Sequence, residues 1–238
     1  MGRTPTRQDV AQESERSPMA PQELWPPRFS VAIFDFDGTL SDTAGIWRQV
    51  DEVFLSSRGL PYEEDYPQAM NALGFAAGAA YTIQRFGLEE TVEDICDEWN
   101  RLGRALYETQ ASLRPGALRY LRELRSRGIP LGLATTNDPE VLLSMQRVDL
   151  RSLFDVLVTN REVEVPKSEP DIYLACADEL GGEPQETIVF EDIVPGTRAA
   201  REAGFLTCGV RCDDPTQEVE ALRESAELWL DDWRDIEL

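Results

Sequence analysis

Two aspartates, Asp35 and Asp37, flank a phenylalanine in the run Asp35-Phe36-Asp37-Gly38-Thr39, directly after the apolar stretch Val31-Ala32-Ile33-Phe34. At the end of a strand, side chains at this spacing lean toward one pocket. Three more polar clusters follow apolar runs: Thr135-Thr136-Asn137, Lys167, and Glu191-Asp192. Each has an ordinary explanation alone. Asp-Gly is turn chemistry, Thr-Thr-Asn-Asp before Pro139 makes a helix cap, and Glu191-Asp192 could cap the helix that follows. Four such clusters in succession are much harder to explain as turns and caps.

Together they suit phosphoryl transfer. Asp35, Asp37 and Asp192 form a hard oxygen set suited to Mg²⁺, which keeps waters and accepts a phosphate oxygen. Transfer of a phosphoryl group asks mainly for in-line positioning and neutralisation of its oxygens. Lys167 supplies a second positive charge, and Thr135 with nearby backbone N–H groups supplies hydrogen bonds. Asp35 is placed to attack phosphorus. Asp37 is placed to protonate the leaving oxygen and then to take a proton from water.

Composition narrows the alternatives. The 238 residues contain no histidine, which removes Ser-His-Asp and Cys-His catalysis and histidine-ligated zinc. Lys167 is the one lysine, against 22 arginines. The formal net charge of -22 makes nucleic acid a poor partner, because a phosphate backbone needs a basic footprint. This acidity fits either a high-salt habitat or compositional drift. Cys96, Cys176, Cys208 and Cys212 do not make a zinc pattern and are expected as reduced thiols. No apolar run reaches the ~20 residues of a membrane span, and the opening stretch lacks the apolar core of a secretory signal. A cytoplasmic protein, a monomer or weak dimer, is expected.

The elements that must position these groups are legible. Val31–Phe34 reads as a buried strand. Residues 43–112 read as helices, with apolar stripes at Ile46, Val50, Val53 and Phe54, at Met70, Leu73, Ala77 and Tyr81, and at Val92, Ile95, Trp99, Leu102 and Leu106. Helices and strands then alternate. Helices are expected at 117–127, 139–147, 170–180 and 195–203, and strands at 130–135, 155–159, 187–190, 205–210 and 228–230. That alternation predicts an α/β fold with a Rossmann-like parallel sheet. The expected division is a disordered tail over 1–28, a core domain over 29–42 and 113–238, and an inserted all-α cap over 43–112. Leu24 and Trp25 are the residues of the tail expected to dock on the body. The insert is expected to move as a lid hinged near residues 41–43 and 112–114, over the crevice where open sheets bind ligands.

Phe34-Asp35-Phe36-Asp37-Gly38-Thr39-Leu40-Ser41-Asp42 resembles the first motif of the haloacid dehalogenase-like hydrolases. Leu133-Ala134-Thr135-Thr136-Asn137 resembles the second, Lys167-Ser168-Glu169-Pro170-Asp171-Ile172-Tyr173 the third, and Val189-Phe190-Glu191-Asp192-Ile193-Val194-Pro195-Gly196 the fourth. The insert after the first motif resembles the helical-cap subfamily, which includes phosphoglycolate phosphatase and β-phosphoglucomutase. The resemblance implies Asp35 as nucleophile and Asp37 as general acid/base, with Thr135 and Lys167 holding the phosphoryl group. It implies Mg²⁺ on Asp35, the backbone carbonyl of Asp37 and Asp192, with Glu191 beside them. Thr136, Asn137 and Arg48 are assigned to substrate binding. Pro166, Ser168 and Ile193 depart from the usual motif residues, and Ile193 lacks a hydroxyl that often supports the lysine or the acid.

Asp37 excludes dehalogenation, and the absence of lysine from the insert argues against a Schiff-base mechanism. A small phosphorylated metabolite is therefore the expected substrate, and phosphatase the expected activity. The alternatives are a phosphosugar mutase and a non-catalytic interaction protein. A mutase would need basic cap residues for a second phosphate. Trp47 stands where its histidine would be, leaving Arg48, Arg58, Arg85, Arg101 and Arg104 to serve. An inactive relative would be expected to lose Asp35, Asp37 or Lys167.

Overall fold

The computed structural model describes residues 23–63, 65–71, 73, 75–159 and 166–238. Six parallel strands form one sheet: β1 (Val31–Phe34), β2 (Leu131–Ala134), β3 (Val156–Val158), β4 (Thr187–Glu191), β5 (Leu206–Val210) and β6 (Leu228–Leu230), in the order β3-β2-β1-β4-β5-β6. The expected α/β parallel sheet is present, with each strand within about two residues of its expected bounds.

Strand β1 lies at the centre, paired with β2 on one side and β4 on the other. The strand order reverses there, and the carboxyl ends of β1, β2 and β4 border the crevice that this reversal opens. All four residues of β1 are buried because helices cover both faces of the sheet. Its side chains alternate between two cores. Ala32 and Phe34 join Leu133, Phe190, Tyr120 and Trp233 on one face, while Val31 and Ile33 join Ile172, Tyr173 and Val189 on the other. Phe34 stacks on its register partner Phe190 at 4.6 Å between ring centroids, and Trp233 closes over both rings.

Helices between the strands complete the crossovers: α5 (Ala117–Ser126), α6 (Pro139–Leu142), α7 (Leu150–Leu153), α8 (Asp171–Leu180), α9 (Val194–Glu202) and α10 (Val219–Ser225). The helix expected over 139–147 is shorter. Asp138 caps it through the Glu140 N–H, but it ends at Leu142, where the Ser144 hydroxyl bonds the Val141 carbonyl and competes with the backbone ladder. Helix α10 was not anticipated.

Between β1 and α5 the chain forms α1 (Ala44–Ser57), α2 (Tyr66–Asn71), α3 (Phe75–Phe86) and α4 (Val92–Gln110). These helices share a core of Val50, Phe54, Leu55, Tyr66, Ala79, Ile95 and Trp99. Helix α4 opens on a capping box between Thr91 and Asp94. Three stripe residues are corrected: Val53, Leu73 and Ala77 are exposed. The stripe expected from Met70 to Tyr81 belongs to two helices, so a single 3.6-residue period does not run through it. The two connections between sheet and insert lie side by side, with Ser41 Oγ donating to the Ser112 carbonyl and Arg114 N–H to the Leu40 carbonyl, both at 2.8 Å.

Of the expected tail, residues 1–22 lie outside the described residues. Leu24 is fully buried, Tyr120 donates to its carbonyl, and Trp25 sits edge-on to Tyr120 with Arg127 over its ring. All four cysteines are free. Among the described residues no helix is long and apolar enough to cross a membrane.

Candidate active site

The loop after β1 carries both aspartates and is fixed through its backbone. Trp233 Nε1 donates to the Thr39 carbonyl at 3.0 Å, and Arg114 Nη1 to the Gly38 carbonyl at 3.1 Å. Gly38 has φ of +85°, and a methyl there would collide with Asp192 Oδ2. Glycine is required both by that left-handed conformation and by the close approach of the β4 loop. Thr39 Oγ1 donates to Asp192 Oδ1 at 3.2 Å, tying the two loops together.

Asp35 is buried beside Lys167, Glu191 and Asp192. The ammonium of Lys167 bridges Asp35 Oδ1 and Glu191 Oε1. Glu191 is a hub. Its Oε1 also accepts the Tyr173 hydroxyl at 2.8 Å, and its Oε2 accepts the N–H groups of Asp192 at 2.9 Å and Ile193 at 3.1 Å. Tyr173 thus supplies the hydroxyl that Ile193 lacks. Tyr173 lies within the third motif, where the sequence alone assigned it no role, and the first turn of α8 sets it against Glu191.

Burial pushes the Asp35 carboxyl up to about 7, with Lys167 opposing and the charges of Glu191 and Asp37 adding to it. Asp192 is raised well above the carboxylate range, first by burial and then by Glu191 and Asp35. Burial works against the Lys167 ammonium, but Asp35 and Glu191 outweigh it and hold its pKa above the usual lysine value.

This donor set fits a divalent cation. Asp35, Glu191 and Asp192 each offer an oxygen within 4.8 Å of the others. Asp35 Oδ2 is buried without a hydrogen-bond partner among the described residues. Three carboxylates and one ammonium leave two negative charges, which one such ion balances, and hard oxygens suit Mg²⁺. Glu191 fits that role least, because all four of its acceptor positions are already filled.

Asp37 faces the insert. Its Oδ1 accepts the hydroxyls of Thr43 (2.6 Å) and Tyr107 and the indole N–H of Trp47 (3.3 Å), while Oδ2 accepts Asn137 Nδ2 at 3.0 Å. Tyr107 comes from the last turn of α4, and Trp47 lies on α1. Gly103 lets them converge: a methyl there would stand 3.3 Å from the Trp47 ring and 3.4 Å from Val141. Tyr107 was not anticipated. The buried face of α4 runs Ile95, Trp99, Gly103 and Tyr107, so stepping by four from Ile95 would have found it; Leu102 and Leu106, expected in its place, are half-buried.

The remaining expected residues are placed as follows. Thr135 is buried at the end of β2, where its Oγ1 accepts the Asn137 N–H at 3.2 Å. Asn137 Oδ1 is buried with no partner among the described residues. Thr136 is exposed. Arg48 is exposed, with its charge near the Tyr62 hydroxyl. The other insert arginines are held by acids: Arg58 by Glu90 and Glu98, Arg85 by Glu63 and Asp65, Arg101 by Glu98 and Arg104 by Glu140.

A family profile described as haloacid dehalogenase-like hydrolase matches residues 29–204. The phosphorylated carbohydrates phosphatase of Thermotoga maritima is 30% identical over 176 residues, 74% of this chain and 82% of that protein. The validoxylamine A 7'-phosphate phosphatase of Streptomyces hygroscopicus subsp. limoneus is 29% identical over 205 residues, 85% of this chain and 94% of its own. The crystal structure of CbbY from Rhodobacter sphaeroides in complex with phosphate aligns with a TM-score of 0.74 at 25% identity, covering 86% of this chain and 95% of that one.

Proposed function

The chain belongs to the haloacid dehalogenase-like hydrolases, and on that footing we propose that it is a Mg²⁺-dependent phosphatase of a small phosphomonoester, a phosphorylated sugar or a molecule like it. The observation that carries this reading is the buried cluster in which Lys167 bridges Asp35 and Glu191 while Asp35 Oδ2 stays unpartnered. A phosphoryl group carries its negative charge on oxygen and its electrophilic centre on phosphorus. The cluster offers a cation for the first and a carboxylate oxygen for the second.

Asp35 attacks phosphorus, and the bond to the leaving oxygen breaks as an aspartyl phosphate forms. Asp37 gives the leaving oxygen its proton. Water then attacks the aspartyl phosphate, Asp37 takes its proton, and inorganic phosphate leaves with Asp35 restored. Lys167 and Thr135 hold the transferring group, with Asn137 beside them. Asp35, Asp192 and the Asp37 carbonyl would hold Mg²⁺, which when bound neutralises phosphate oxygens. Glu191 holds Lys167 and the β4 loop. We assign residues 29–42 and 113–238 to a catalytic core and 43–112 to a lid that selects substrate.

The mutase alternative loses support from the insert arginines. Four of the five candidates for a second phosphate are paired with neighbouring acids, and the fifth, Arg48, lies exposed near Tyr62. Retention of Asp35, Asp37 and Lys167, with the Lys167 ammonium bonded to Asp35, argues against a non-catalytic role.

The test is a panel of phosphomonoesters assayed on the full chain with Mg²⁺ and with EDTA. Release of inorganic phosphate, lost on chelation and restored by Mg²⁺, is the expected result. Activity that survives full chelation would overturn the metal assignment, and an inactive panel would overturn the phosphatase reading.

A further inference from the structure

Asp37 is bonded by four side chains, and they do not treat its two oxygens alike. The centre of the arrangement is the Tyr107 hydroxyl. It accepts hydrogen bonds from Trp47 Nε1 at 3.2 Å and from Asn137 Nδ2 at 3.0 Å. A phenolic oxygen has two acceptor positions and one proton. With both positions filled, that proton is directed at Asp37 Oδ1. Thr43 bonds the same oxygen and Trp47 shares its one N–H between that oxygen and the Tyr107 hydroxyl, so Oδ1 meets two donors and part of a third, whereas among the described residues Oδ2 meets only Asn137. A carboxylate has about two lone-pair positions per oxygen. Oδ1 is saturated, and Oδ2 alone retains room for a proton.

We propose that Tyr107 is a positioning residue that divides the work of Asp37, anchoring Oδ1 so that Oδ2 is the oxygen that carries the proton to the leaving group. This inference rests on Asp37 as the general acid. In the first step the proton on Oδ2 moves to the leaving oxygen as its bond to phosphorus breaks. In the second, the proton of the attacking water returns to Oδ2. Tyr107 keeps its own proton throughout and touches neither substrate nor phosphorus. Without it, the carboxylate keeps only the bonds of Thr43, Trp47 and Asn137 and turns more readily about its terminal torsion, which is broad and two-fold, so the proton-bearing oxygen is less firmly placed. Tyr107 is fully buried, and its ring fills the space between Phe36 and Trp47.

The prediction separates acid positioning from general damage through the leaving group. A good leaving group departs without a proton, and a poor one requires it. The full chain with Mg²⁺ is assayed on a series of substituted phenyl phosphates, from 4-nitrophenyl to unsubstituted phenyl phosphate. Here kcat/KM reports the first transfer. Tyr107→Phe is expected to lower kcat/KM for phenyl phosphate about tenfold and for 4-nitrophenyl phosphate less than about twofold. Asp37→Asn should show the same selectivity more strongly, and adding Tyr107→Phe to it should cost nothing further, because the two residues act as one unit. Trp47→Phe, which removes one of the bonds that aim the Tyr107 proton, should shift the series in the same direction by less; it carries the test if Tyr107→Phe unfolds.

A uniform loss across the series, an unchanged series, or additive losses in the double variant would overturn the role of Tyr107. If Asp37→Asn were itself flat across the series, the acid assignment would fall and this inference with it. Wild-type protein inactive on the whole series would overturn the phosphatase reading and this inference with it.

Discussion

Replacing Lys167 by methionine removes the ammonium and keeps an unbranched stem, and its effects can be set out from the cluster. The wild-type site holds three buried carboxylates and one ammonium. The variant leaves all the carboxylates and no cation. Removing one partner of a buried ion pair costs about 3–5 kcal/mol, because the remaining charge stays buried and unpaired. Against a total stability of about 5–15 kcal/mol, this is a large fraction. Mg²⁺ opposes the same charges, so the loss should be larger in EDTA than in Mg²⁺. Affinity for Mg²⁺ should rise, since a like charge has left its neighbourhood. Activity should fall nonetheless. Lys167 lets the anionic Asp35 approach an anionic phosphoryl group, and kcat/KM should drop at least about a hundredfold, or about 2.7 kcal/mol of transition-state stabilisation. Lys167→Arg should restore little, because a planar fork does not fit the place of a compact ammonium. Urea unfolding with and without Mg²⁺, calorimetric titration of Mg²⁺, and turnover of 4-nitrophenyl phosphate provide the measurements. Turnover within about threefold of wild type would refute the assignment of Lys167 to the phosphoryl group. Equal stability loss in EDTA and Mg²⁺ would refute the shared charge balance.

Asp35→Asn should abolish turnover and stabilise the fold in EDTA, since it removes one of three crowded carboxylates; near-normal kcat would refute covalent catalysis. Gly38→Ala should cost stability and suppress Mg²⁺ binding together, because its methyl meets the Asp192 carboxylate at a backbone φ of +85°; unchanged Mg²⁺ affinity would show that the two loops need not approach so closely. Burial, with Glu52 adding, pushes the Asp51 carboxyl on α1 up to about 7. Its folded pKa exceeds its unfolded one, so the folded state favours the protonated form, and stability falls as pH rises from about 4 to about 7 and stays lower above that. Asp51→Asn should therefore stabilise the protein by on the order of 1 kcal/mol near pH 8, discounted for a half-buried side chain, and by nothing near pH 4. Thermal unfolding at the two pH values is the check, and equal gains at both would refute it.

The strands and the loops that follow them were legible because each polar cluster ends an apolar run that must be buried on both faces, as at Phe34-Asp35 and Phe190-Glu191. Side-chain placement on the insert was less so. A 3.6-residue stripe marks a helix face but does not say which of two adjacent residues meets the core; hence Leu106 was expected inside, where Tyr107 is found. Placement was also hidden for Arg48, which the sequence offers to an anionic substrate and the fold leaves exposed near Tyr62. With 45 acidic residues to 23 basic ones, acids capture the other insert arginines, and no local pattern says which. The partnership of Tyr173 with Glu191 joins α8 to β4 and exists only once the crossover has folded.

The side-by-side connections at Ser41–Ser112 and Arg114–Leu40 make the whole insert a loop whose ends already touch. Closing such a loop costs little more for seventy residues than for ten, because the entropy grows only with the logarithm of length. Chain entropy therefore sets little limit on what the loop contains, and one helical insert could be exchanged for another without rethreading a strand. The constraint on such an exchange is chemical rather than topological. Thr43, Trp47 and Tyr107 all belong to the loop, so a transplanted insert would bring Asp37 a new set of donors. On the proposed mechanism, such an exchange would alter substrate selection and proton transfer together, through one carboxylate.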